Sequence, residues 1–443
     1  MGIVYEERQK IFQLNTPGST YLIGLIDEER FIGHLYYGRR IDDLNMEYLK
    51  RSNDAVRFPS RCNGERLRFQ DGFQAEYSTA GQGDYRESCL EVRTRSGHNA
   101  CMLTYVSHSI YSGKPALEGL PATFGTEEDC TTLEIVCEDR VLQLQVRLLY
   151  TVFEKIDAIA RSVRVINQAK EPVYLTRVLS ACLDMDNENY DMITLDGVWA
   201  KERMITRRQI ANGKQRISSN RGVSSHQANP FIAIADSNAD QDFGRVYGMN
   251  FVYSGNFMAQ AELTQFDMLR VTMGILPEGF CWKLESGASF TAPEAVLVFS
   301  AEGIGEMTRS YHDLYRNHLI RGKYCHAQRP VLINNWEATY FQFDTDKILS
   351  IARTAAALGI EMLVLDDGWF GRRDNDACAL GDWYVNEEKL KGGLPYLVSE
   401  INRLGMKFGL WFEPEMVSPD SDLYRQHPDW AIRIPGREPV QCR

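Results

Sequence analysis

Three short apolar runs in the last quarter of the chain each end in acids and tryptophans. The first ends Asn334-Asn-Trp-Glu337, the second Asp366-Asp-Gly-Trp369 and the third Trp411-Phe-Glu-Pro-Glu415. If the runs are parallel strands of a β/α barrel, these residues gather at one rim, where such barrels build their sites. Carboxylates accept hydrogen bonds from hydroxyls in fixed directions, and an indole face packs the apolar C–H patch of a pyranose. The combination suits a sugar. Taken singly, each residue also has a plainer role. Asp366 and Asp367 can cap the following loop, Trp336 and Trp411 can fill a core, and Glu413 can pair with a lysine. By spacing alone, Asp366 and Glu413 make the acid/nucleophile pair, because glycoside hydrolysis uses two carboxylates flanking the scissile bond.

Other chemistries lack their residues. There is no Gly-x-Gly-x-x-Gly and no Walker loop, so a nucleotide cofactor is not indicated. The 10 cysteines contain no Cys-x-x-Cys pair and are expected as mostly reduced, buried thiols. The 8 histidines show no His-Glu-x-x-His. His312 and His318 do not stack on one helical face, and His226 lies in a loop-like stretch. Neither a metal nor any other cofactor is expected.

The elements that must position the three strand ends fall into two regions. Up to about residue 300 the pattern is β. Runs such as Tyr21-Leu-Ile-Gly-Leu-Ile26, Thr132-Leu-Glu-Ile-Val-Cys137, the ten residues from Val141 to Tyr150, and Ala295-Val-Leu-Val-Phe299 are rich in branched and aromatic residues. Gly81-Gln-Gly-Asp84, Asn212-Gly213 and Pro277-Glu-Gly279 supply turns. Many strands without helices predict a large antiparallel sandwich. Residues 302–322 read as a helix, with Met307, Tyr311, Leu314 and Tyr315 at helical spacing and Gly322 as its stop, and are expected to link two domains. After Arg329, strands at 330–337, 361–366 and 407–413 alternate with helices at 344–358, 394–404 and from 421. That alternation predicts a parallel sheet.

Composition sets the outer limits. The chain has 443 residues, 44% hydrophobic and 25% charged, which excludes disordered and coiled-coil classes. A net charge of −11 argues against a nucleic-acid binder that neutralises phosphates. No apolar run is long enough to span a membrane, and the first residues lack the features of a secretory signal or a myristoylation site. A cytoplasmic protein is expected, with no nucleic-acid or membrane partner.

A resemblance sharpens these expectations. Ile333-Asn-Asn-Trp-Glu-Ala-Thr-Tyr340, Leu363-Val-Leu-Asp-Asp-Gly-Trp-Phe-Gly371, Leu380-Gly-Asp-Trp383 and Phe408-Gly-Leu-Trp-Phe-Glu-Pro-Glu-Met416 resemble the barrel motifs of the α-galactosidases of glycoside hydrolase family 36. Gly83-Asp-Tyr-Arg86, Leu120-Pro-Ala-Thr123, Ser224-Ser-His-Gln-Ala-Asn-Pro-Phe231 and Val252-Tyr-Ser-Gly-Asn-Phe257 extend the resemblance over the β region. It implies a β-supersandwich over residues 1–300, a helical linker over 301–328, and the first part of a (β/α)8 TIM barrel over 329–443. It implies retaining hydrolysis of terminal α-linked galactose, as in raffinose or melibiose, without a cofactor. Asp366 and Asp367 become ligands of galactose hydroxyls, and Trp336 and Trp411 line the pocket. Glu413 becomes a pocket-shaping residue, which reverses the assignment made from spacing. In related tetramers a loop of the β domain reaches a neighbour's active site, and Asp54 is the match to its acid.

The sequence also departs from the pattern. The family nucleophile, in a Lys-Trp-Asp motif, and the acid/base aspartate stand on later strands, and neither motif occurs here. Arg443 matches a substrate-contacting arginine, with Cys442 in place of a glycine. Residues 329–443 hold about three of the eight strands of a barrel that takes about 250 residues. The chain is therefore expected to be a truncated portion, inactive by itself. The alternative is a non-catalytic galactoside-binding or degenerate protein.

Overall fold

The structure, a computed structural model, describes residues 2–26, 30–43, 45–50, 70, 72–81 and 83–438. It divides into two compact units, Met1–Cys325 and His326–Arg443.

The first unit is built from antiparallel sheets. Ile3–Glu6, Ile11–Asn15, Ser19–Ile26 and Phe31–Arg39 form a four-stranded meander, and six- and ten-stranded sheets complete the unit. Its largest core buries Phe12, Tyr21, Leu148, Cys182, Phe257 and Leu297 together. The Cys130–Asp139 and Leu144–Phe153 strands pair along their whole length, and most of their residues are buried. The second starts three residues later than the sequence suggests. Gln143 takes a positive φ of 50°, which turns the chain and leaves Val141 91% exposed. Asn212-Gly213 does not close a hairpin. The strands on either side of it, Lys201–Gln209 and Gly213–Ser219, belong to different sheets.

Helix α1 (Gly303–His318) belongs to this unit. Met307, Tyr311 and Leu314 are buried with Val246, Val296 and Val298 of the ten-stranded sheet. The Tyr311 hydroxyl donates to the Val296 carbonyl at 3.0 Å. The approach is close enough to require glycine beneath it: a Cβ on Gly248 would lie 2.7 Å from Met307 Sδ and 2.9 Å from Tyr311 Cε2. Helix α1 thus packs as part of the β unit, and the division of the chain falls between Cys325 and His326, within the stretch 301–328 read as a linker. The eight described cysteines are unpaired, and five of them are buried. Among the described residues no helix is long and apolar enough to cross a membrane.

The second unit is a β/α layer. Leu332–Asn334, Met362–Leu365 and Lys407–Leu410 form a parallel sheet in that order. Helix α2 (Trp336–Thr339) is a single turn, and α3 (Thr345–Ala357) and α4 (Gly393–Arg403) connect the strands. A short helix, α5 (Asp422–Gln426), follows. Leu363 and Leu365 share a buried core with Ile348, Leu349, Leu397 and Ile401 of the helices. Asp344 caps α3 by accepting from Lys347 N at 2.9 Å, and Ser421 caps α5 by accepting from Tyr424 N at 3.0 Å. The first strand is shorter than the expected 330–337. Asn334 Oδ1 accepts from Trp336 N at 2.7 Å, which bends the backbone into α2 instead of extending the ladder.

Candidate functional site

The three strand ends stand side by side, because the register pairs Asn334 with Val364 and Leu365 with Leu410. Asn334 is the hinge of the rim. Its side-chain oxygen holds the Trp336 amide, and its side-chain nitrogen donates to Asp366 Oδ2. Asn335, fully buried, accepts from the Asp366 amide at 2.8 Å and donates to Thr339 Oγ1 at 2.8 Å. Asp366 Oδ1 accepts from the Asp367 amide at 2.7 Å. The half-buried Asp366 is thereby fixed at both oxygens by neutral donors, and each oxygen keeps a lone pair. A carboxylate held this way is an acceptor for hydroxyl groups.

Asp367 is placed differently. It is buried, and Arg373 grips it through Nε (3.0 Å to Oδ1) and Nη2 (2.9 Å to Oδ2). Arg373 is buried too, and its Nη1 donates to the carbonyls of Asp376 (2.8 Å) and Cys378 (2.9 Å). The loop can turn back on itself because Gly368 and Gly371 take φ values of 95° and 48°. Lys389 Nζ then bridges the carbonyls of Gly368 and Phe341 at 3.0 and 3.1 Å. A solvent-facing Asp367 is the ordinary expectation for a strand-end loop. Here the pairing of a buried guanidinium takes precedence.

The tryptophans flank the carboxylate. Trp336 is half-buried, with the rings of Tyr340 and Phe341 edge-on at 5.2 and 5.1 Å. Trp411 is half-buried and stacks with Phe370 at 6.5 Å and 16°. Its amide donates to the Leu365 carbonyl at 2.9 Å, and its carbonyl accepts from the buried Trp369 indole at 3.0 Å. Glu413 is buried at the same strand end. Among the described residues no cluster of His, Cys, Asp and Glu is arranged to hold a metal ion.

The structure therefore groups Trp336, Asp366, Asp367 and Trp411 on adjacent strand ends. Asp54 and Arg443 lie outside the described residues. Asn334, Asn335 and Arg373 were not singled out from the sequence. The paired asparagines at the first strand end were a signal for the first two. Nothing local marks Arg373, whose partner is six residues back across a glycine-dependent turn.

Residues 30–285, more than half of the chain, match the glycosyl hydrolase family 36 N-terminal domain. The chain belongs to glycosyl hydrolase family 36. Residues 289–443 match the melibiase model. Among relatives, the family 36 chain is 46% identical over 438 residues to α-galactosidase AgaA of Geobacillus stearothermophilus, covering 99% of this chain and 60% of that one. It is 44% identical to the bifunctional α-galactosidase/sucrose kinase AgaSK of Mediterraneibacter gnavus, covering 100% and 47%. The crystal structure of the family 36 α-galactosidase AgaB of G. stearothermophilus superposes with a TM-score of 0.95 at 45% identity, covering 100% and 60%. An AgaA variant crystallised with raffinose gives 0.94 at 46%, covering 98% and 60%. The chain thus spans about 60% of the length of AgaA and AgaB. The fold is the family's: a β-supersandwich followed by part of a (β/α) barrel.

Proposed function

We propose that this chain supplies the galactose-recognising part of an α-galactosidase, an enzyme that hydrolyses terminal α-linked galactose from oligosaccharides such as raffinose and melibiose with retention and without a cofactor. One observation carries the reading. Asp366 is fixed by Asn334 and by the Asp367 amide, with half-buried tryptophans on the strand ends at either side. Asp366 accepts hydroxyl protons, and Trp336 and Trp411 pack the sugar's C–H face. Asp367 works from behind, as the anion that neutralises Arg373 and orders the loop, with lone pairs left for one further hydroxyl.

Residues 1–443 themselves are a galactoside binder in this reading. The nucleophile and the acid/base aspartate that the resemblance implies stand on later strands, and without them no covalent intermediate forms. A cytoplasmic location and a homotetramer, in which Asp54 reaches a neighbouring site and Arg443 contacts substrate, complete the proposal. Calorimetric titration with melibiose, raffinose and maltose tests it. Binding of the first two and not the third supports the reading, whereas equal binding of all three, or of none, refutes it.

A further inference from the structure

We infer that Asp382 is a positioning residue for Trp411: it clamps the loop after the Lys407–Leu410 strand to the loop after the Met362–Leu365 strand, and acts on Trp411 through Trp383. The inference rests on the galactoside reading of the strand ends. Asp382 is buried, and both of its oxygens face the start of α5. Oδ2 accepts from the Asp422 amide and Oδ1 from the Leu423 amide, each at 3.0 Å. Ser421 already caps this helix through Tyr424 N. A local cap satisfies one free amide of a helix start, and a helix of five residues is too short to hold itself. Asp382 satisfies two more amides from 40 and 41 residues away, so its bonds tie the two loops together.

Two glycines permit the close approach. Gly381 takes a φ of 111°, and a Cβ there would lie 2.9 Å from Leu423 Cδ2. A Cβ on Gly371 would lie 3.0 Å from Asp382 Cβ. Beside the clamp, the Ala379 amide donates to the Asp420 carbonyl at 2.7 Å and the Ser418 amide to the Leu380 carbonyl at 2.9 Å. The two loops thus form one wall. Trp383, the residue after the clamp, carries its effect to the site. Its ring centroid lies 4.4 Å from Phe370, 5.1 Å from Phe412 and 6.4 Å from Trp411. Phe370 is also the ring on which Trp411 stacks. A displaced Trp383 therefore disturbs Trp411 both directly and through Phe370. Asp382, buried and turned toward α5, reaches the sugar only through these rings.

Titrating the whole chain with galactose tests this, using wild type, Asp382→Asn, Trp383→Leu, their double variant and Ser421→Ala, with melting followed by circular dichroism. Asparagine keeps the shape of the side chain but accepts through one oxygen only. Asp382→Asn and Trp383→Leu should each raise Kd roughly three- to tenfold, the scale of one hydrogen bond. The double variant should bind no more weakly than the weaker single variant, because the two residues act in series. Ser421→Ala removes the local cap of α5, so it should lower the melting temperature while leaving Kd within about twofold of wild type. Multiplied effects in the double variant, an unchanged Kd in Asp382→Asn, or an equal loss of binding in Ser421→Ala overturns the positioning role. If Asp382→Asn does not fold, Asp382→Glu, which keeps the charge and displaces the oxygens, takes its place in the same comparison. A wild-type chain that binds no galactose overturns the galactoside reading beneath it.

Discussion

Asn334 and Asp366 stand at the ends of neighbouring parallel strands, and the Asn334 amide donates to Asp366 Oδ2. The same asparagine accepts from the Trp336 amide, so one side chain sets both the carboxylate and the indole. Asn334→Ala should weaken galactose binding about five- to tenfold, the scale of one net hydrogen bond of about 1 kcal/mol. Asn334→Asp should weaken it more, because a second carboxylate then faces Asp366. Titration of both variants, with circular dichroism to confirm the fold, checks the order.

Asp366 and Asp367 should separate into a binding and a supporting residue. Asp366→Ala removes a half-buried carboxylate held by neutral donors, so binding should fall while the melting temperature changes little. Asp367→Ala leaves the buried Arg373 guanidinium without its counter-charge. Breaking such a pair costs about 3–5 kcal/mol, so this variant should melt lower or lose the second unit. Equal melting temperatures for the two variants would contradict the assignment.

Much of this site was legible in the sequence. Acids and tryptophans at successive strand ends could be read because parallel strands bring their carboxyl ends to one rim. The Asp344 cap followed from residue type alone. What stayed hidden depended on contacts rather than on periodicity. Asn334 stops its strand with a side chain-to-backbone bond, so the apolar run through residue 337 overstates it. Arg373 folds back on Asp367 through a turn that two positive-φ glycines allow. Helix α1 looked like a linker because its stripe of Met307, Tyr311 and Leu314 does not say which surface it covers.

Gly248 lies where α1 crosses the ten-stranded sheet. An added Cβ meets the movable Met307 sulfur, but also the Tyr311 ring, which its bond to Val296 fixes. Gly248→Ala should therefore destabilise the first unit by about 1–3 kcal/mol, as overpacking does. Denaturant unfolding of the variant checks this, and an unchanged midpoint would show that the helix shifts freely.

Acid should weaken the first unit through Asp184. Burial raises the pKa of this carboxyl, but Arg270 and Arg86 outweigh burial and hold it below the usual aspartate range. A lowered folded pKa means stability that is present above the unfolded value of about 3.9 and lost as pH falls through the folded value. Stability should thus be flat near neutrality and drop below about pH 4. Asp184→Asn should be less stable at neutral pH and should show a shallower acid loss. A variant with the wild-type pH slope would contradict this.

The most direct test of the central claim is calorimetric titration of residues 1–443 with galactose, for wild type and Asp366→Asn, alongside a chromogenic α-galactoside hydrolysis assay of the same samples. The account predicts saturable binding by wild type, a loss of at least about tenfold in Asp366→Asn, and no turnover by either. Galactose binding that is absent in wild type or equal in the two proteins would contradict it, as would hydrolysis that disappears with Asp366→Asn.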